Sequence, residues 1–168
     1  MRSVLISRHA KILMVLSLAA FAFMVTFNNI TDYGSNFAFV QHVLSMDTTF
    51  PENAAMYRAI GTSALWHLGY WIIIAGEGVT FVLFLLGGIA MLRARHGSAA
   101  AFDASKDWAI AGAAAGFLVW FFGFMVVGGE WFLMWQSDIW NGQDAAFKFY
   151  AAILGVVIFV NQREAEIA

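Results

Sequence analysis

The sequence predicts an all-α membrane fold, a bundle of four transmembrane helices with an outer-face cap of short helices between the first and second. Three observations carry this. Of the 168 residues, 61% are hydrophobic and 12% charged, against roughly 45–50% and about 25% in soluble domains. One domain cannot hide that much apolar surface from water, so its solvent is lipid. Four apolar stretches follow one another, Ile12–Phe27, Leu65–Leu92, Trp108–Phe132 and Ala145–Val160. The positive charges gather on one side of those stretches. The same composition excludes other classes. With 9 Lys+Arg against 11 Asp+Glu there is no basic surplus for nucleic acid. The absence of cysteine removes disulfides, thiolate metal sites and Cys nucleophiles.

A helix needs about 20 residues to cross a hydrocarbon core of about 30 Å. The second and third stretches clear that length. The first and fourth are short, so Lys11 and Lys148 are expected at or within helix ends, snorkelling outward. The basic start of the first stretch (Arg2, Arg8, Lys11) with Ala19, Ala20 and Ala22 also fits a signal peptide. Its apolar run is longer than a signal core, which favours an uncleaved span. Pro51, the single proline, lies outside all four stretches, so no proline kink is expected.

Orientation follows from Arg2, Arg8, Lys11, Arg93, Arg95, Lys106 and Arg163 on one side against Arg58 and Lys148 on the other. Seven against two places both termini in the cytoplasm and the Asn28–Thr62 and Gln136–Asp144 segments outside. Trp66, Tyr70, Trp71, Trp131, Trp135 and Trp140 then form an aromatic belt at the outer boundary. Within the long outer segment, Asn36–Met46 reads as a short interfacial helix and Pro51–Ile60 as a further helical stretch. Asn29-Ile30-Thr31 matches a glycosylation acceptor, a pattern common by chance.

Ionisable residues inside a membrane are costly and mark candidate sites. At about 1.5 Å per residue, Glu77 lies about 22 Å above the inner boundary, Lys148 about 18 Å and Glu130 about 33 Å. These heights suggest a Glu77–Lys148 pair with Glu130 as a second partner. Such a pair either fixes helix register or carries protons or cations; Glu77 protonated and hydrogen-bonded, or a site for a partner subunit or lipid head group, are the other readings. On the third span, Gly112, Gly116, Gly123 and Glu130 share one face at about 100° per residue. Glycine stripes of this kind let membrane helices pack closely, within the bundle or between copies. The Phe117, Phe121 and Phe124 surface is then expected to face lipid or a neighbour. No histidine lies on the third or fourth span, so a bis-His haem across the bundle lacks its ligands. A His42–His67 site in the cap is the arrangement left, beside ordinary hydrogen bonding of both rings. No metal site is expected.

The segments Asn29-Ile30-Thr31-Asp32-Tyr33, Asn36-Phe37 and Val40-Gln41-His42-Val43-Leu44-Ser45-Met46-Asp47 form one motif. A second is Gly129-Glu130-Trp131-Phe132, Met134-Trp135-Gln136-Ser137 and Trp140-Asn141-Gly142-Gln143. Together they resemble a bacterial family of predicted small integral membrane proteins, a domain-of-unknown-function family. The resemblance covers nearly the whole chain. It implies four helices and a bacterial cytoplasmic membrane, and supplies no activity. Both motifs lie at the outer face. Asp32, Tyr33, Asn36, His42, Asp47, His67, Trp131, Trp135, Gln136, Trp140, Asn141 and Gln143 therefore form either an anchoring cap or a docking surface.

No phosphate loop, dinucleotide fingerprint, nucleophile elbow or His-Glu-x-x-His is present. The expectation is a non-catalytic accessory or assembly subunit of a larger membrane complex, or a homo-oligomer. Its expected partners are membrane lipid and other membrane subunits or a second copy, with no cofactor beyond bound lipid. Two alternatives stay open: a small transporter or channel using Glu77 and Lys148, and a haem- or quinone-binding redox subunit.

Overall fold

The computed structural model describes residues 2–166 and is helical throughout its regular elements. The order is α1 (Arg2–Thr31), α2 (Tyr33–Ser45), α3 (Ser63–Ala94), α4 (Ala99–Ala104), α5 (Asp107–Phe117) and α6 (Gln143–Val160). From α5 the chain continues without a break into a π-helical segment, Leu118–Trp131. Four helices are long and apolar enough to cross a membrane: Ser3–Thr31, Ser63–Ala94, Ala99–Trp131 and Gln143–Val160.

α3 is the spine, with α1 along one side and α5 along the other, and α6 packs against α1 and the third span. The core holds Val15, Ala19 and Ala22 of α1, Phe84 and Met91 of α3, Ala113 and Trp120 of the third span, and Ile153 and Val160 of α6. Large apolar side chains such as Leu13, Ile72, Leu118, Phe122 and Ile158 are exposed all round the bundle. Water would not tolerate such a surface, and lipid requires it. Helices in lipid gain little from excluding water, so they rely on close contact. Gly87 supplies it: a Cβ there would lie 2.6 Å from the backbone nitrogen of Ala109. Gly112 rests on Phe84, and Gly116 on Ile153 and Thr80.

Several expectations change. α1 starts at Arg2 rather than near Ile12, so Lys11 lies in mid-helix and turns inward, 2% exposed, instead of snorkelling outward. The Pro51–Ile60 stretch is not a helix. Glu52 adopts a left-handed conformation (φ 60°), and the Asn53 side chain accepts from the Ala55 amide. The Ile60 amide is drawn to the Leu44 carbonyl. Only the single turn Met56–Arg58 remains. The third span holds no proline, yet it leaves α-helical geometry at Leu118 for wider turns that end with Phe132 N–H donating to Val127 C=O. The 100° spacing therefore fails beyond Phe117. A Cβ on Gly123 would meet no neighbouring helix, and Glu130 is exposed. The phenylalanines do not form one lipid face either. Phe117 and Phe121 pack on Tyr150, and Phe124 stacks on Phe39.

Candidate functional site

The cap is built from aromatic stacks and short polar links. Tyr33 bonds His67 Nδ1 at 2.8 Å, and Phe37 stacks on the same ring at 4.1 Å. His42 stacks on Trp140 at 4.6 Å and bonds Asp47 at 2.8 Å. The two histidines thus have separate partners and do not form one site. Asp32 accepts from Ser35, Asn141 accepts from the Gln143 amide, and Gln136 accepts from Phe50 N–H and Asn53. The Gln143 side chain lies over Gly129. Arg58 spans the Trp131 ring, Trp135 meets Phe50 edge-on, and Asn36 is exposed. The cap residues thus come together as linked pairs rather than as one pocket.

The expected intramembrane network does not assemble. Lys148 is near the start of α6, 67% exposed in its side chain, and pairs with Asp144 one turn earlier at 2.5 Å. Glu77 is 2% exposed between α3 and α1, where Asn29 Nδ2 donates to it at 2.7 Å. Tyr70 O–H donates to the Asn29 carbonyl at 3.0 Å, which fixes that turn of α1. Asn29 is thus engaged toward the interior of the bundle, which removes it as an accessible acceptor. Rise per residue gives the height of a side chain, but not the direction it points around the helix.

Two features stand outside that reading. The first is an apolar groove. The third span follows α3 as far as Gly116, and its π-helical part then draws away. α2 and the Phe132–Met134 corner close the gap on the cap side. The resulting groove has a volume of about 610 Å³. Its walls are Ile72, Ile73, Gly76 and Val79 of α3, Leu118, Val119, Phe122, Gly123 and Val127 of the third span, and Phe39, Val40, Val43 and Leu44 of α2. Every lining residue is apolar or glycine, and Glu77 is not among them. Ile72, Val79, Leu118 and Phe122 are exposed along its mouth, so it opens sideways into lipid. No composition or periodicity signal marks this groove, because it depends on where the helix changes pitch.

The second is a buried charge cluster at the face bearing both termini. Arg8, Lys11 and Lys106 are 0%, 2% and 2% exposed. All three converge on Glu164 in the chain after α6. Lys11 pairs with its carboxylate directly, Lys106 Nζ lies 3.3 Å from it, and Arg8 Nε lies 3.6 Å away. Lys106 also holds Asp103 at 2.6 Å. The Gln162 carbonyl accepts from Lys11 and Lys106, and the Arg95 and Gly97 carbonyls accept from Arg8. The sequence signal was there: an acidic residue follows the last span at the level where three basic ones collect.

Four membrane-length apolar helices, a lipid-facing surface and an apolar groove define a small polytopic integral membrane protein. The chain belongs to the family described as predicted small integral membrane protein (DUF2165), which matches residues 7–163. No curated protein and no solved structure matches it.

Proposed function

We propose that the protein is a non-catalytic accessory membrane protein that seats the acyl chain of a membrane lipid in the groove between α3 and the π-helical half of the third span. The groove is the observation that supports this reading. From Gly69 to Val79 its α3 wall runs about 15 Å. A groove of that length, walled wholly by apolar side chains and glycine and open to the side, suits a chain of methylenes. No titratable side chain faces it, so it can bind and position but offers no acid, base or nucleophile. Other membrane subunits, or a second copy, would meet the protein over the remaining lipid-facing surface. The positive-charge asymmetry supports cytoplasmic termini, and a bacterial inner membrane is what the family resemblance implies.

The test uses purified protein in vesicles of phosphatidylcholine carrying a photoreactive group in its acyl chain. Labelling is expected to concentrate on Ile72, Val79 and Phe122. Gly123→Leu should abolish it while leaving the protein folded, because a side chain at Gly123 points into open space. Equal labelling of the variant, or labelling spread evenly to Leu13, Phe147 and Ile158 elsewhere on the bundle, would overturn the reading.

A further inference from the structure

Burying three cations around one carboxylate is a costly arrangement. Desolvating a charge is expensive unless it is fully paired and hydrogen-bonded. Here the pairing is incomplete. Among the described residues, Arg8, Lys11 and Lys106 supply three positive charges and their paired partners Glu164 and Asp103 two negative ones, while Glu166 accepts from the Ala99 amide instead, leaving one positive charge over. The geometry is incomplete in the same place. Arg8 Nε is buried and has no hydrogen-bond partner among the described residues, although it points toward Glu164 Oε2 at 3.6 Å. A carboxylate offers two oxygens in a plane, and both are already directed at other donors or lie too far from this one.

The missing quantities are one further negative charge and one further acceptor oxygen. A phosphate monoester supplies both, with about −1.5 to −2 charges and three acceptor oxygens in tetrahedral array. The walls around the cations suit a desolvated ionic site. The Phe102 ring lies beneath Arg8 at 4.9 Å and Lys106 at 5.5 Å, and the Phe159 ring beneath Lys11 at 5.5 Å. Arg8 and Lys11 are on α1, Arg8 is tied to the α3–α4 connection, and Lys106, between α4 and α5, is tied to Asp103 of α4. Glu164, by contrast, is carried on the irregular chain beyond Val160.

We propose that Arg8, Lys11 and Lys106 form a binding site for a phosphate monoester, which Glu164 occupies in its absence. Phosphatidic acid in the adjoining leaflet and soluble inorganic phosphate share this chemistry. The site is at the terminal face, whereas the groove is on the cap side, so the two stand or fall separately.

The experiment compares wild type and Glu164→Gln in phosphate-free detergent micelles, titrated with inorganic phosphate, phosphatidic acid or phosphatidylcholine. E164Q should bind a phosphate monoester about tenfold or more tighter than wild type, because the resident carboxylate no longer competes. Adding Lys106→Gln to E164Q should remove that gain. A response to inorganic phosphate identifies a free anion as sufficient, and a response to phosphatidic acid alone identifies the headgroup. Either supports the site. Wild type gives a second readout that does not depend on the variant folding. Displacing Glu164 should release residues 162–166, so trypsin cleavage after Arg163 should accelerate several-fold with whichever of phosphatidic acid and inorganic phosphate binds, over phosphatidylcholine. The proposal is overturned if E164Q binds no better than wild type, or if the gain survives K106Q. It is equally overturned if phosphatidylcholine acts as well as whichever of the two binds, or if cleavage after Arg163 does not respond.

Discussion

The two ends of the bundle handle charge in opposite ways. At the terminal face the side chains of Arg8, Lys11, Lys106 and Glu164 are each 3% exposed or less and share one set of contacts. At the cap the His42–Asp47 pair is 30% and 47% exposed, and the Lys148–Asp144 pair 67% and 80%. A buried ion pair contributes little net stability while intact, but removing one partner leaves an uncompensated charge. An exposed pair contributes little in either case. The terminal end is therefore tied by charge that cannot be removed piecemeal. The cap is tied by ring stacking and side-chain-to-backbone links, each of which can be lost alone.

The sharpest way to break this comparison is at Arg8. Arg8→Met removes one of the three cations around Glu164 and leaves the Arg95, Gly97 and Ala165 carbonyls without their donor. It should cost about 3–5 kcal/mol, because each buried acceptor left unsatisfied costs about 1–3 kcal/mol. Denaturant titration in mild detergent, read by the fluorescence of the 7 tryptophans, would measure it. A loss below about 1 kcal/mol would show that the terminal cluster behaves like a surface one.

Glu77 tests whether buried polarity at mid-membrane follows the same rule with a neutral partner. Glu77→Ala removes the acceptor for Asn29 and leaves a void between α1 and α3. Interhelical hydrogen bonds in membranes average about 0.6 kcal/mol and buried voids add to that, so the cost should be about 1.5–3 kcal/mol. Glu77→Gln keeps the shape and an acceptor oxygen, and should stay within about 1 kcal/mol of wild type. If Gln costs as much as Ala, the negative charge itself matters and Glu77 has a partner beyond Asn29.

Glycines sharpen the contrast in packing rather than in charge. Gly87→Ala sets a methyl group 2.6 Å from the Ala109 backbone, where no side chain can yield. Overpacking of this kind should cost about 1–3 kcal/mol. Gly123→Ala, on the groove wall with its nearest atom at 3.7 Å, should be close to neutral in the same denaturant titration. Equal losses at both would mean that the groove closes in the folded protein.

These contrasts also explain what was legible beforehand. The four spans were, because the bilayer sets a length and an apolar composition that no other fold would need. The cap pairs were legible as a group, since Trp131, Trp135, Trp140, Gln136 and Asn141 fall together at one boundary. A lysine near the start of an apolar run reads as an interface residue, so the sequence puts Lys11 at a helix end. Its true partner, Glu164, is 153 residues away and comes near only when the chain after α6 folds back. The groove was invisible for a different reason. It arises where the third span changes from α to π turns at Leu118, and no residue pattern there announces a change of pitch. That same change carried Gly123 and Glu130 off the face shared by Gly112 and Gly116.

The smallest effect belongs to Lys148, and it discriminates between the arrangement seen and the one expected. Had Lys148 been the counter-ion of Glu77, Lys148→Ala would strand a carboxylate inside the bundle and cost several kcal/mol. In the structure its ammonium group meets Asp144 one helical turn away at the exposed start of α6. Pairs at this spacing on an exposed helix contribute about 0.3–0.5 kcal/mol and weaken in salt. Asp144 is also in the first turn of α6, where its negative charge remains favourable with or without the lysine. Lys148→Ala should therefore lower stability by no more than about 0.5 kcal/mol, and the difference should vanish at high ionic strength. A loss of several kcal/mol that persists in salt would restore the Glu77–Lys148 pair and remove the contrast between the two ends of the bundle.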